Sequence, residues 1–185
     1  MSALRWPRAR GFTLVEILVV VVIIGVVIAG TLLALGTTGR DSELERERDR
    51  LDGLFSYVRE RGELQTAEYG LRVTPLTYQF MRYDARSRQW GEDTLDNALA
   101  LHKLPAGLEL ALTVEGRAVI LKEPEPQRGL KSAVKDLTPQ IMLFSNGDTS
   151  DFELTLARRT AGRSIAFRGK GDGTITAGDM KVAER

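Results

Sequence analysis

The chain has 185 residues, of which 43% are hydrophobic and 28% are charged, and its formal net charge is +1. This length and composition suit one folded domain plus a helix, so disordered and fibrous proteins are excluded. The chain contains no cysteine, which excludes a disulfide framework, a thiolate metal site and a thiol nucleophile.

The N-terminal region joins a basic segment to a long apolar run. Arg5, Arg8 and Arg10 precede 20 uncharged residues, Ile17 to Gly36. At about 1.5 Å per helical residue, such a run reaches the roughly 30 Å of a bilayer's hydrocarbon core. No small-residue cleavage site of the secretory type follows it. The arginines predict a cytoplasmic N-terminus and a C-terminal body on the other side of the membrane.

Glu16 stands directly before the apolar run. A charged side chain within a membrane-spanning helix is costly, at about 2.5 to 3.5 kcal/mol at mid-bilayer. A partner for this carboxylate is therefore expected.

The junction Gly11-Phe12-Thr-Leu-Val-Glu16, between a basic leader and an apolar run, resembles the processing signature of the type IV pilin superfamily. That superfamily includes the pseudopilins of type II secretion. The resemblance implies that a prepilin peptidase removes residues 1–11 by cutting after Gly11 and methylates Phe12. Removal of the leader arginines would leave 23 basic against 25 acidic residues, a net charge of −2, so bulk charge does not favour nucleic acid as a partner.

Two interpretations of Glu16 remain open. Cleavage before Phe12 would expose an α-amine with a pKa near 8, about 6 Å from Glu16 along the same helix. The carboxylate could attract this amine or, equally, the amine of a neighbouring subunit, which would set the register of assembly. Alternatively, Glu16 reaches the lipid headgroups without a partner. We favour the assembly interpretation, because an ionisable residue within a membrane segment is usually functional.

The apolar run contains two spacings of small residues, Gly25 with Ala29 and Gly30 with Ala34. Such spacings let another helix approach closely and are candidate packing positions between subunits. The alternative is equally favoured, because Gly and Ala are frequent in membrane helices in general.

Helical periodicity resumes beyond a flexible stretch at Gly36 to Gly39. One long helix is predicted from Phe12 to about Gly62, with residues 12–36 as the membrane and assembly half and residues 37–62 as the amphipathic half. Its apolar stripe consists of Leu44, Leu51, Leu54, Phe55 and Val58. Glu43, Glu45, Glu47 and Asp49 alternate with Arg46, Arg48 and Arg50, which predicts a solvated, salt-bridged face.

Residues 63–185 are predicted to form a β-rich head, so the fold class is α+β, a long helix packed on antiparallel sheet, expected as two sheets. Residues 122–139 contain Pro124, Pro126 and Pro139 and are predicted to form a mobile loop. Asn146-Gly147-Asp148 is predicted to turn a hairpin between Ile141 and Leu156. The predicted strands are Gly70–Val73, Thr77–Tyr83, Ala98–Leu104, Leu108–Val114, Arg117–Leu121, Ile141–Ser145, Phe152–Ala157 and Ser164–Phe167.

After the first strands of the head come Pro139 to Phe144, Asn146-Gly147-Asp148 and Phe152 to Leu156. This order of segments along the head resembles that of the H-type minor pseudopilins of type II secretion. The resemblance implies a subunit near the tip of a periplasmic pseudopilus that drives folded exoproteins through the outer membrane. The implied partners are other major and minor pseudopilins, the prepilin peptidase, the inner-membrane secretion platform and the secreted exoproteins. The alternative is a minor pilin of the FimT and FimU type, which functions in pilus assembly or DNA uptake.

No catalytic, cofactor or metal constellation is predicted, and the chain is interpreted as a structural protein rather than an enzyme. Asp172 to Asp179 resembles the end of a calcium-binding EF-hand loop, but Arg168 and Lys170 occupy the positions of its first carboxylate ligands. A glycine-rich turn before a terminal strand is favoured. His102, the single histidine, has no neighbouring serine or cysteine nucleophile and is interpreted as a strand residue.

One basic cluster lies near the C-terminus of the chain. Phosphate contacts require only such charges, so its members are the candidate DNA contacts under the minor-pilin alternative. Phe167 is the one aromatic residue among them, and Asp172 and Asp179 reduce the local positive charge, so nucleic acid is the less favoured partner. The cluster consists of Arg158, Arg159, Arg163, Arg168 and Lys170.

Overall fold

The computed structural model describes residues 14–122 and 138–182, except for the side chains of residues 29–41. The chain forms two compact units, of which the first ends at Ser42 and the second, the head, begins at Glu43. The predicted leader, residues 1–11, and residues 123–137 of the predicted mobile loop lie outside the described residues.

The long helix predicted from the N-terminal periodicity is confirmed. Helix α1 covers Leu14–Gln65, which is 52 residues. The backbone is helical through Gly36 to Gly39, so the predicted flexible stretch does not interrupt it. Each glycine costs a helix only about 1 kcal/mol relative to alanine, which is too little to end a helix that continues on both sides.

Most of the predicted strands are confirmed, but the segment Ala98 to Leu104 is largely wrong. It forms a short 3-10 helix, Asn97–Leu99, whose first turn is capped by the Asp96 side chain accepting from the Ala98 N–H, and a two-residue strand at His102–Lys103. The side chain of Asp96 thus offers the backbone an alternative to strand pairing. The strands of the described residues are β1 Tyr69–Val73, β2 Thr77–Asp84, β3 Gln89–Glu92, β4 His102–Lys103, β5 Leu108–Val114, β6 Arg117–Val119, β7 Ile141–Leu143, β8 Phe152–Arg158, β9 Arg163–Gly169, β10 Ile175–Ala177 and β11 Lys181–Val182.

The described strands form two antiparallel sheets, as expected for the α+β class. The first sheet has the order β3-β2-β1-β7, with β4 also paired to β2. The second sheet has the order β10-β9-β8-β5-β6, with β11 also paired to β9. The β5–β6 hairpin turns through Glu115 and Gly116, both with positive φ, as the tight turns of hairpins require.

The hairpin predicted between Ile141 and Leu156 is wrong. Strand β7 pairs with β1 in the first sheet, whereas β8 pairs with β5 and β9 in the second. Only a single bridge, Leu143 to Thr149, follows the predicted pairing. The turn at Asn146 to Asp148 therefore carries the chain from one sheet to the other, which places the apolar side chains of both strands in the same core.

Phe55 connects the helix to both sheets at the centre of the head. Its ring centroid lies 5.7 Å from that of Phe80 in the first sheet. It also lies 5.6 Å from that of Phe152 and 5.9 Å from that of Phe167, both in the second sheet. Gly169 lies opposite Phe152 in the β8–β9 register, and a Cβ there would approach the Phe152 ring to 2.1 Å. A larger residue at 169 would displace this ring from the core.

Candidate functional site

The first unit presents an apolar helix whose described side chains are exposed. The large hydrophobic residues from Leu14 to Ile28 are between 44% and 82% exposed. Glu16 lies in the first turn of α1, which begins at Leu14. A carboxylate at this end of a helix interacts favourably with the helix dipole. Gly11 and Phe12, the predicted cleavage and methylation positions, lie outside the described residues.

The predicted packing positions are only partly described. A Cβ placed on Gly25 would meet nothing within 4 Å, so space remains there for a neighbouring helix. Ala29, Gly30 and Ala34 lie in α1, but their side chains are not described. Within the described residues, no helix is both long enough and apolar enough to cross a bilayer.

In the head, Glu47 is a buried carboxylate that connects α1 to the first sheet. It is 5% exposed and accepts a hydrogen bond of 2.7 Å from the Tyr78 hydroxyl. The Nε2 atom of His102 lies 3.1 Å from its Oε1, while Arg50 donates to the Tyr78 oxygen over 3.0 Å. Burial and the bond to Glu47 raise the pKa of Tyr78 well above its ordinary value, so the phenol stays protonated and donates.

The solvated face predicted for Glu43 to Arg50 is therefore wrong at Glu47. The missed signal was its spacing, because Glu47 lies three residues after Leu44 and four before Leu51, on the buried stripe of the helix. His102 does lie in a strand, as predicted.

Replacing Glu47 by alanine is expected to lower the free energy of unfolding by about 2 to 4 kcal/mol. The buried Tyr78 hydroxyl would lose its acceptor, which costs about 1 to 3 kcal/mol, and a small cavity would add to this. Urea denaturation of the purified protein measures the change. Glu45→Ala is the matched control, because Glu45 is exposed on the same helix and its loss should cost less than about 0.5 kcal/mol. Equal effects of the two substitutions would contradict the role of Glu47.

A second polar network lies where the last turns of α1 meet the segment 93–96. Arg61 pairs with Asp93 over 3.2 Å and with Asp96 over 2.5 Å. The Tyr57 hydroxyl donates to Asp96 over 2.6 Å, and Tyr69 donates to Asp93 over 3.3 Å. The side chain of Asp93 is only 2% exposed. The bond from Tyr57, with a further bond from the Ala98 N–H, holds the pKa of Asp96 below its ordinary value.

Acid is expected to weaken this network. A carboxylate whose pKa is depressed by folding contributes stability above its unfolded pKa, near 3.9, and loses that contribution as the pH falls through the folded pKa. The difference in free energy of unfolding between the wild type and Asp96→Asn should therefore shrink from pH 6 to pH 3. Urea titrations at both pH values measure it. Asp179→Asn, at an exposed carboxylate, is the control, and a gap that does not change with pH would contradict the prediction.

The five members of the basic cluster lie in or beside the second sheet, at β8, the short 3-10 helix Arg159–Ala161, β9 and the turn after β9. Arg158 is buried, with its guanidinium 2.6 Å from Glu43 and 3.5 Å from the carbonyl of Ala106. Arg159 pairs with Glu109, and Arg168 pairs with Glu153 over 2.7 Å. Carboxylates thus neutralise Arg158, Arg159 and Arg168. Arg163 lies in β9, and Lys170 is exposed in the turn that follows.

The turn after β9 is built from acidic side chains and backbone amides. Asp172 accepts from the Thr174 N–H over 2.9 Å, which lowers its pKa, and Asp151 accepts from the Gly171 N–H over 2.6 Å. Within the described part of the chain, no three acidic or histidine side chains are grouped so that they could hold a metal ion.

Comparisons with known proteins agree with both parts of this description. Residues 6–32 match the family described as the prokaryotic N-terminal methylation motif. The chain is 35% identical to the type II secretion system protein H of Pseudomonas aeruginosa over 164 residues, which covers 88% of this chain and 92% of the relative. It is 32% identical to the protein of the same name from Aeromonas hydrophila over 157 residues, 84% of this chain and 85% of the relative.

The fold is also similar to solved structures. A crystal structure of the minor pseudopilin EpsH from the type II secretion system of Vibrio cholerae superimposes with a TM-score of 0.59 at 16% identity, covering 77% of this chain and 98% of that one. The solution structure of GspH from Escherichia coli has a TM-score of 0.52 at 14% identity, covering 77% and 89%. Because the chain is 35% and 32% identical to two relatives of that name over most of its length, it belongs to the type II secretion system protein H family, the minor pseudopilins of H type.

Proposed function

We propose that this minor pseudopilin is incorporated near the tip of a short periplasmic pseudopilus, which drives folded exoproteins through the outer membrane. The observation that carries the proposal is the presence, in one chain, of the N-terminal methylation motif and a fold that covers 98% of the solved EpsH structure. The chain acts as a structural subunit and not as an enzyme.

The N-terminal region supplies the processing and assembly steps. A prepilin peptidase removes residues 1–11 at the Gly11–Phe12 bond and methylates Phe12. Residues 12–36 anchor the subunit in the inner membrane, with the head in the periplasm, until it is extracted into the pseudopilus. The exposed apolar side chains from Leu14 to Ile28 support this step, because they can pack on lipid first and on neighbouring helices afterwards.

Glu16 sets the register of a new subunit by pairing with the α-amine of a neighbour, and Gly25, Ala29, Gly30 and Ala34 allow close helix packing. The partners are the other major and minor pseudopilins and the inner-membrane secretion platform, with the exoproteins as cargo. DNA is not a partner under this proposal, because Glu43, Glu109 and Glu153 neutralise Arg158, Arg159 and Arg168.

A clean deletion, complemented in trans, tests the proposal. Exoprotein activity in the culture supernatant and in the periplasm is measured in parallel with DNA uptake and twitching motility. Loss of secretion with cargo trapped in the periplasm is the expected result. Normal secretion with loss of transformation or motility would instead support the minor-pilin function.

A further inference from the structure

The head has an open groove between the C-terminal end of α1 and the segment that follows β3. We call it the helix-end groove; its volume is about 470 Å³. All of its walls belong to the head. It is lined by Tyr57, Glu60, Arg61, Leu64, Leu95 and Asp96.

Two leucines in this groove are almost completely exposed. Leu64 is 77% exposed and Leu95 is 85% exposed, and Tyr57 beside them is 42% exposed. A single exposed leucine is normal on a protein surface. Two that line the same groove together with a tyrosine supply the apolar and aromatic side chains that are typical of an interaction site.

The groove is already formed in the chain without a partner. Arg61 holds both of its walls, because it lies on α1 and pairs with Asp93 and Asp96 on the opposite side. Tyr57 adds a second connection through its hydrogen bond to Asp96. A partner would therefore bury the leucines without having to order the groove, which lowers the cost of binding.

The charge around the groove restricts its partner. Among the residues that line the groove, Glu60 and Asp96 outnumber the single cation Arg61, so the groove carries an excess of one negative charge. An apolar segment flanked by lysine or arginine would match both the leucines and this charge.

We propose that the helix-end groove is the site where this subunit binds a neighbouring pilin-type subunit, through an apolar segment flanked by lysine or arginine. This inference rests on the proposed function, because it requires the chain to be one subunit of an assembly. It assigns Leu64 and Leu95 as the apolar contacts and Glu60 as the charged residue that faces the basic flank.

Site-specific photo-crosslinking tests the groove, because the chain has no native cysteine. Leu95→Cys in the full-length protein, expressed in secreting cells, is labelled with a maleimide-benzophenone and irradiated. Ile120→Cys is the matched control, because Ile120 is also 85% exposed but lies after β6, outside the groove. Mass spectrometry should identify the Leu95→Cys product as this chain joined to a different pilin-type subunit, at an apolar residue next to lysine or arginine.

Two further variants test the chemistry of the contact. Adding Leu64→Asp to Leu95→Cys should reduce the crosslinked product about tenfold, because a charge would replace one apolar contact. Glu60→Lys should reduce it about threefold, as expected for a charge at the edge of an interface. Thermal unfolding of the purified variants should match that of the parent, because both positions are exposed.

Three results would overturn the groove proposal. The first is a product formed equally from Leu95→Cys and Ile120→Cys, and the second is a crosslink to a second copy of this chain or to an exoprotein. The third is the absence of any product in secreting cells. The deletion strain separates this failure from failure of the proposed function. If deletion abolishes secretion while Leu64→Asp secretes and crosslinks normally, only the groove assignment is wrong. If deletion leaves secretion intact, the proposed function itself is wrong.

Discussion

Replacing Glu16 by glutamine is expected to leave membrane insertion intact and to reduce incorporation into the pseudopilus at least about tenfold, which corresponds to about 1.4 kcal/mol. The neutral side chain removes the attraction between this residue and the α-amine of a neighbouring subunit. In a low-dielectric surrounding, that attraction is much stronger than in water. Insertion should persist because an uncharged residue enters a bilayer more readily than a carboxylate.

The measurement compares the amount of the variant in the membrane fraction with the amount in sheared pseudopili, together with exoprotein activity in the supernatant. Glu16→Asp retains the charge and should restore part of the assembly. Glu45→Gln removes a carboxylate from the exposed surface of the head and should assemble normally. Normal assembly of Glu16→Gln would disprove the register hypothesis, whereas its loss from the membrane would indicate a role in insertion instead.

Phe55→Ala is expected to lower the free energy of unfolding by about 3 to 5 kcal/mol, as is typical of a buried phenylalanine. The ring is 2% exposed and contacts Phe80, Phe152 and Phe167 in the two sheets. Its loss would leave a cavity where the helix and both sheets meet. Whole domains are stabilised by only about 5 to 15 kcal/mol, so this substitution would remove a large share of the stability of the head.

Urea denaturation of the purified protein measures this loss, and the level of the variant in cells provides a second readout. Phe144→Ala removes the same atoms from a side chain that is 44% exposed and should cost less than about 1 kcal/mol. If the two phenylalanine variants were equally stable, Phe55 would not be the central contact of this core.

The sequence predicted the methylation motif and helix α1 because the signals of both are local. The order of leader arginines, Gly11, Phe12 and Glu16 is a property of consecutive residues, and residues 6–32 match the methylation motif. Helix α1 was also predictable, because the leucine spacing from Leu44 to Leu54 repeats at the helical period. The cleavage, methylation and register roles of Phe12 and Glu16 stay predictions.

The same local signals were insufficient for the polar residues of the head. Glu47 was grouped with its charged neighbours in sequence, although its position on the helix faces the core. Its burial depends on Tyr78 and His102, which lie 31 and 55 residues further along the chain. The Arg61 network is similar. The residues around Asp93 and Asp96 do not indicate a partner, because their pairing with Arg61 arises only when the chain folds back onto the helix.

By itself, the sequence determined the secondary structure along most of the chain, the α+β class and the family, because periodicity and motif order are contained in short stretches. Only the tertiary structure decided which strands share a sheet, as with the separation of β7 from β8, and only it created the helix-end groove between α1 and the segment after β3. The physical reason is that alternating apolar residues specify a face to bury, while the choice of what covers that face depends on the packing of residues far apart in the chain.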